Sequence, residues 1–227
     1  MPEFLVFTLA ASLGAMGDVA GHERRGSWAW PGRSAILGLL GAAQGIRRDG
    51  DFSALDALSV SVAVFEDGQP LRDYHTVQTV PSAAVKRPQS RPAALRAVGQ
   101  GANTTITLRD YRTGVLYGVA VSGAGLAAVR DALEQPVFAL YLGRKSCTLS
   151  APMAPQLVTA SDPAGALAHL HLPPWHAGAV ARRLYGVPTD ARSETRHDQP
   201  LDRGKWHFTA RQVGVQTVEI APKGRGA

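Results

Sequence analysis

Apolar positions along the chain follow two periods, and each period predicts one kind of element. Four short apolar runs, rich in valine or without a polar face, are typical of β-strands. They are Glu3–Ala10, Leu58–Phe65, Val115–Val121 and Val137–Leu142. Two segments carry apolar residues at helical spacing and predict amphipathic helices. They are Ser34–Ile46 and Gly125–Leu133.

Read in order, these elements run strand, helix, strand, insertion, strand, helix, strand. That order predicts an α+β fold of the ferredoxin-like (RRM-like) class, in which two helices cover one face of an antiparallel sheet. RNA-binding modules often use this layout. Many unrelated enzymes use it too, so the fold alone does not decide the function. Residues 1–70 and 110–227 are predicted to form this palm with a C-terminal extension.

The insertion, residues 71–109, has no sustained periodicity. Its flanks, His75–Val80 and Asn103–Leu108, are rich in threonine and valine and predict the two arms of a β-hairpin. The proline-containing basic part between them would form a long tip. A connection of this length in a compact domain is usually functional or disordered, and both interpretations stay open here.

The remaining segments carry weaker patterns. Gly14–Gly32 is rich in glycine and charge and predicts a loop, and so does Asp190–Arg203. Ser161–Leu170 predicts a short helix with a proline near its start. Lys205–Arg211 and Val213–Ile220 predict two strands.

The composition favours a folded protein with a polyanionic partner. The 227 residues are 45% apolar and 19% charged, with a formal net charge of +6 and a pI of about 9.9. Cys147 is the single cysteine, so no internal disulfide can form and a reducing compartment fits. No apolar run is long enough to span a membrane, and the apolar N-terminus lacks a basic leader. We therefore expect a cytoplasmic protein.

Few residues suggest catalysis. His169, His171 and His176 match no zinc-binding spacing, and no histidine can be assigned to Cys147 as a catalytic partner. Tyr74 and His75, with Lys86 or Arg87, have the side chains that a metal-free ribonuclease needs for acid–base catalysis. The same residue types also occur together by chance in a polar hairpin.

Basic residues from three separate segments suggest a phosphate-binding groove. Arg33 precedes Ser34, the predicted N-cap of the first helix, and a helix N-terminus binds anions. The Lys86–Arg96 tip and the pair Arg144-Lys145 add further cations. If these groups converge, the nearby aromatic residues Trp28, Trp30 and Tyr74 could stack on bases. The alternative is a set of scattered surface cations.

Three motifs in this order, PGRSAILGLLGAAQGIRRD, LRDYHTVQTV and YLGRKSCTLSAP, resemble the CasD-type subunit of the type I-E CRISPR Cascade complex. The resemblance extends from Glu3 to Leu170. Beyond it, KWHFTAR is similar to the FTAR-like strand of that family. The resemblance implies a ferredoxin-like palm with a thumb hairpin inserted after its second strand, over residues 71–109.

The resemblance also implies a function. Such a subunit holds the 5′ handle of the CRISPR RNA, caps the backbone filament, and contacts the large PAM-reading subunit and the adjacent backbone subunit. Target DNA would be reached only through the complex. A separate endonuclease cuts the precursor in type I-E systems, so we expect a non-catalytic protein without cofactor or metal. A related type I-C subunit does cut RNA, which keeps a metal-free endoribonuclease open as the alternative.

Charge pattern and resemblance together indicate a set of RNA-binding residues. The set is Arg33, Ser34, Arg72, Tyr74, His75, Lys86, Arg87, Arg91, Arg109, Arg144, Lys145 and Ser146.

Overall fold

The computed structural model describes residues 1–21, 23–81, 90–188, 192–205 and 207–222. The helices are α1 (Arg33–Ala43), α2 (Ser53–Asp56), α3 (Arg91–Val98), α4 (Leu126–Glu134) and α5 (Pro163–Leu167). The strands are β1 (Glu3–Gly14), β2 (Met16–Ala20), β3 (Arg24–Trp28), β4 (Ser59–Glu66), β5 (Gln69–Thr79), β6 (Asn103–Ser122), β7 (Gln156–Thr159), β8 (Ala181–Gly186), β9 (Ser193–Asp202) and β10 (His207–Ile220).

The strands of the described ranges join into one curled sheet in an α+β fold. At its centre the order is β7, β1, β6, β4, with every neighbour antiparallel. Beyond β4 the sheet continues through β8, β10 and β9. The hairpin β2–β3 joins β6 at the other side through a short parallel pairing.

Strand β1 is buried on both faces and divides the core into two layers. Leu5, Phe7 and Leu9 face the layer that α1 and α4 cover, while Phe4 and Val6 face the layer beneath α5. Successive strand residues point to opposite faces, so a strand with a core on each side must be apolar throughout. The prediction of a doubly buried strand at Glu3–Ala10 is confirmed, although the strand runs on to Gly14.

Both predicted helices are present, with small differences at their ends. α1 begins at Arg33 with Gly32 as its N-cap, so the prediction of Ser34 as the N-cap is wrong. The Ser34 amide instead donates to a carboxylate of a distant strand, Asp198 Oδ2, at 3.4 Å. A carboxylate at this position compensates the helix dipole as a capping side chain would.

The predicted strand Val137–Leu142 is absent, apart from a single bridge between Tyr141 and Thr148. The amides of Val137 and Phe138 donate to carbonyls at the end of α1, at 2.9 and 3.2 Å. These are among the last carbonyls of α1, so the segment helps to cap the helix, and the two amides are engaged there and not in the sheet. Strand β7, which the sequence analysis did not predict, pairs with β1 in its place.

Both predicted loops contain strands. The Gly14–Gly32 segment holds β2 and β3, and Asp190–Arg203 holds β9. The two predicted C-terminal strands, Lys205–Arg211 and Val213–Ile220, are largely one strand, β10. These elements lie at the margins of the sheet, where polar side chains on both faces remove the hydrophobic alternation that marks a strand.

The insertion contains a long antiparallel ladder. The flanks pair from Gln69 opposite Thr113 to Thr79 opposite Asn103, and β6 continues from this hairpin into the palm without a break. Helix α3 follows Ser90, whose hydroxyl caps it by accepting from the Ala93 amide. The tip residues 82–89, with Lys86 and Arg87, lie outside the described residues.

Within the described ranges, no helix has the length and apolar character needed to cross a membrane.

Candidate nucleic-acid interface

Three arginines from three segments meet where the inserted hairpin joins the palm, and we call them the arginine junction: Arg25, Arg109 and Arg144. Arg25 of β3 and Arg109 of β6 are direct neighbours across the parallel pairing. Arg144 Nη2 donates to the Arg25 carbonyl at 3.3 Å. Its guanidinium also lies over the ring of Tyr111, 4.4 Å from the centroid, two residues from Arg109 on β6.

The arginine junction carries buried donors without acceptors. Within the described part of the chain, Arg109 Nε and Arg144 Nη1 are buried and have no hydrogen-bond partner. A buried unsatisfied donor costs about 1–3 kcal/mol, and more when it belongs to a charged group. Both side chains are only partly buried, so their other N–H groups can donate charge-assisted hydrogen bonds to a phosphate oxygen. The junction therefore has the electrostatics and the free donors of an anion site.

A tight turn holds Arg144 in place. Gly143 has φ +88°, and a Cβ there would lie 1.7 Å from the carbonyl oxygen of Ala15. The turn closes through two hydrogen bonds of 2.8 Å, from the Leu142 amide to the Cys147 carbonyl and from the Cys147 amide to the Arg144 carbonyl. Cys147 is buried and anchors the turn. The predicted ligands Lys145 and Ser146 are exposed beside Arg144.

A second charged group, the Asp110 clasp, lies next to the junction and consists of Arg24, Arg72 and Asp110. Arg24 Nη2 and Arg72 Nε each donate to the Asp110 carboxylate at 2.7 Å. The pKa of Asp110 is lowered to about 2, mainly by the hydrogen bond from Arg72 and further by that from Arg24. Two arginines share one carboxylate, so the clasp keeps an excess positive charge.

Tyr74 and His75, adjacent on β5, point to opposite faces of the hairpin because strand side chains alternate. Tyr74 lies on the face of Arg72, two residues away, and is 70% exposed. His75 lies on the face of Asp73, with Nδ1 3.9 Å from the Asp73 carboxylate. The two side chains therefore cannot both reach one phosphodiester from this strand.

Arg33 is turned into the protein and away from the junction. Its Nη2 donates to the carbonyls of Asp56 and Leu58, at 2.5 and 3.2 Å, and Nη1 lies 3.8 Å from the Asp56 carboxylate. Burial lowers its pKa. The Ser34 amide is engaged by Asp198, so this helix start already holds a carboxylate of the protein. A phosphate contact at Arg33 and Ser34 stays a prediction, and this geometry does not favour it.

The other predicted sites are dispersed. Arg91, at the start of α3, donates through Nη2 to the Gln78 carbonyl and ties the helix to β5. In the described ranges, no three histidine, cysteine or acidic side chains gather in a way that could hold a metal ion.

Sequence reasoning missed two cations of the interface, Arg24 and Arg25. Both lie in the segment that was predicted to be a loop, where no position could be assigned to a face. Their signal was the sequence ERRGSW, in which two arginines closely precede a tryptophan. Arginines beside aromatic residues are typical of surfaces that bind single-stranded nucleic acid.

The chain is similar to known proteins along most of its length. A family model described as CRISPR-associated protein (Cas_Cas5) matches residues 4–214. The CRISPR system Cascade subunit CasD of Escherichia coli (strain K12) is 34% identical over 185 residues, which cover 74% of this chain and 76% of that protein.

Two solved structures share the fold. A chain of a CRISPR RNA-guided surveillance complex has a TM-score of 0.71 at 24% identity, covering 98% of this chain and 94% of that one. A chain from a crystal structure of a Cas protein has a TM-score of 0.69 at 25% identity, covering 98% and 100%.

Proposed function

Since the chain belongs to the Cas5 family of CRISPR-associated proteins, we propose that it is a non-catalytic RNA-binding subunit of a type I-E Cascade complex. In this role it holds the 5′ handle of the CRISPR RNA and caps the filament of backbone subunits. The large PAM-reading subunit and the adjacent backbone subunit are its protein partners, and target DNA is reached through the complex. We also propose that the palm is ferredoxin-like, which the strand order β7, β1, β6, β4 supports.

The arginine junction carries the RNA-binding part of this proposal. Arg25, Arg109 and Arg144 come from segments far apart in the chain, and two of them have buried donors without acceptors among the described residues. Phosphate contacts fix the path of a nucleic-acid backbone without reading its sequence. A subunit that holds a bent single strand needs such contacts from several elements, and the junction supplies them at the base of the inserted hairpin.

The salt dependence of RNA binding tests this assignment. Each of Arg109→Gln and Arg144→Gln should weaken binding of a labelled repeat RNA and reduce the slope of log K against log salt by about 1. The matched control is Arg182→Gln, because Arg182 is exposed on β8 and paired with Glu219 at 2.6 Å. If all three variants keep the wild-type slope, the junction does not bind phosphate.

The absence of catalysis is supported by the positions of Tyr74 and His75 on opposite faces of β5. The acid and base of a metal-free ribonuclease must reach the same phosphodiester, and these side chains diverge. Incubating the purified protein with repeat RNA in EDTA should leave the RNA intact. Site-specific cleavage that disappears in His75→Ala would establish the endoribonuclease alternative.

The contacts with protein partners are supported by an exposed apolar patch after α4, formed by Val137, Phe138 and Tyr141. Clustered exposed apolar residues are typical of protein interfaces. Phe138→Glu should reduce incorporation of the subunit into a reconstituted complex while its binding of free repeat RNA stays unchanged. Normal incorporation of this variant would exclude the patch from the interface.

A further inference from the structure

Four side chains form a continuous stack that begins on β3, next to the arginine junction. The guanidinium carbon of Arg196 lies 3.6 Å from the ring centroid of Trp28 and 4.3 Å from that of Trp30. Trp30 stacks in turn on Tyr185, with centroids 4.1 Å apart and the ring planes inclined by 19°. The order is therefore Trp28, Arg196, Trp30, Tyr185, and the stack joins β3, β8 and β9.

One end of the stack is buried in the protein, and the other end is exposed to solvent. Arg196, Trp30 and Tyr185 are each at most 4% exposed, whereas Trp28 is 40% exposed. Arg196 covers one face of the Trp28 indole, so the exposed area lies on the opposite face and the edges. The structure thus presents a flat aromatic surface whose orientation is set by the three buried side chains behind it.

Burying the Arg196 guanidinium beneath Trp28 costs free energy. Its Nε is buried without a hydrogen-bond partner among the described residues, and its nearest ion-pair contact is Glu194 Oε2 at 4.0 Å from Nη2. An apolar side chain would fill the same space without desolvating a charge. A planar guanidinium, however, contacts both indoles through cation–π interactions. The arrangement favours the orientation of Trp28 over the stability of the core.

We propose that the outer face of Trp28 is a stacking platform for an unpaired base of bound RNA. The proposal rests on the proposed function, because it needs bound RNA beside β3. Trp28 lies four residues after Arg24 on β3, about 13 Å along an extended strand, and the two side chains share a face because strand side chains alternate. Arg24 belongs to the Asp110 clasp, whose excess positive charge would hold a phosphate near the indole and bring a neighbouring base within its reach. Base–aromatic stacking is tolerant of sequence because every base has a π face.

Trp28→Ala provides the first test. Its affinity for a labelled repeat RNA should fall roughly 5- to 150-fold, the range expected for loss of one stacked base. The salt slope should stay that of the wild type, since no phosphate contact is removed. Trp28→Phe keeps a ring over Arg196 and should retain most of the affinity. Trp175→Ala is the control, because Trp175 is also exposed but lies on the 3₁₀ turn before β8.

A second experiment identifies the stacked base. A set of repeat RNAs, each with one abasic nucleotide, is measured against wild type and Trp28→Ala. One abasic position should weaken binding to the wild type and have no further effect on Trp28→Ala, because both changes remove the same contact. Additive losses at every position would overturn the platform.

The outcomes separate this inference from the proposed function. Wild-type affinity in Trp28→Ala, together with a normal salt slope, overturns the platform and leaves the RNA-binding role intact. Absence of salt-dependent RNA binding in the wild type overturns the role itself. Loss of complex assembly in Trp28→Ala with unchanged RNA affinity would show that a protein partner covers the indole, which also overturns the platform.

Discussion

Asp110 connects the hairpin β2–β3 to the inserted hairpin through one carboxylate. Arg24 of β3 and Arg72 of β5 both donate to it, and β6 supplies Asp110 itself. The short parallel pairing between β3 and β6 involves two residue pairs, so the clasp adds side-chain contacts where the backbone ladder is short.

Asp110→Asn should therefore lower the free energy of unfolding at neutral pH by about 1 kcal/mol, a figure that allows for the exposure of both arginines. The pKa of Asp110 is about 2, below the ordinary value of 3.8. A lowered pKa gives stability that is present above the unfolded value and lost as pH falls through the folded one. Urea unfolding between pH 7 and pH 2 should thus show wild type and Asp110→Asn converging below about pH 4. A constant difference down to pH 2 would contradict this assignment.

Arg33 was expected to bind phosphate, but its contacts indicate a structural role. It fixes the carbonyls at the end of α2, so Arg33→Ala should reduce the free energy of unfolding by about 2 kcal/mol. Arg33→Lys should not restore it fully, because one ammonium group cannot replace both Nη2, which donates to the two carbonyls, and Nη1, which lies 3.8 Å from the Asp56 carboxylate. Urea unfolding measures both variants. A lower salt slope for RNA binding with unchanged stability would instead support the phosphate contact.

At the level of elements, two glycines of α1 provide a matched pair. A Cβ at Gly41 would lie 2.5 Å from Phe52 Cε1, whereas a Cβ at Gly38 would meet nothing within 4 Å. Gly38→Ala should raise the free energy of unfolding by about 0.5–1 kcal/mol through helix propensity. Gly41→Ala should lower it by about 1–3 kcal/mol, because Phe52 is buried and must move. Thermal unfolding of both variants checks the opposite signs, and equal shifts would exclude the clash.

The elements that sequence alone predicts are those whose burial is encoded locally. β1 and α1 carry their hydrophobic pattern within a dozen residues, and both are confirmed. Val137–Leu142 has the same apolar character, but its amides are needed at the end of α1, which no local pattern reveals. β3 and β9 lie near the two margins of the sheet and carry polar residues. They form strands through backbone pairing and not through burial of apolar side chains. The residues of the arginine junction were predicted in part: Arg144 lies inside the motif YLGRKSCTLSAP and Arg109 directly follows a predicted arm of the hairpin, while Arg25 lies in a segment without a motif.

At the scale of the whole molecule, the C-terminal hairpin β9–β10 is attached to the start of α1. Asp198 of β9 accepts from Arg211 Nε at 2.6 Å and Nη2 at 3.1 Å, and from the Ser34 amide at 3.4 Å. Arg203, which follows β9, donates two hydrogen bonds of 3.1 and 2.6 Å to the Asp56 carboxylate at the end of α2. Ser34 and Asp198 are 164 positions apart, so no sequence pattern could have predicted that this helix start is closed by a carboxylate from the same chain.

This attachment predicts that the start of α1 and the hairpin β9–β10 unfold locally together. Asp198→Ala removes the acceptor of the α1 amide and leaves Arg211 without its partner, in a place where both side chains are at most one-fifth exposed. The expected loss is about 3 kcal/mol in the free energy of unfolding, typical of breaking a buried pair. In hydrogen exchange, amides of the first turn of α1 and of β10 near Arg211 should then exchange faster, and at similar rates. Asp202→Ala is the control, because Asp202 pairs with Lys205 on the surface, where ion pairs contribute little. Faster exchange confined to β9–β10, with α1 still protected, would show that the hairpin opens independently of the palm.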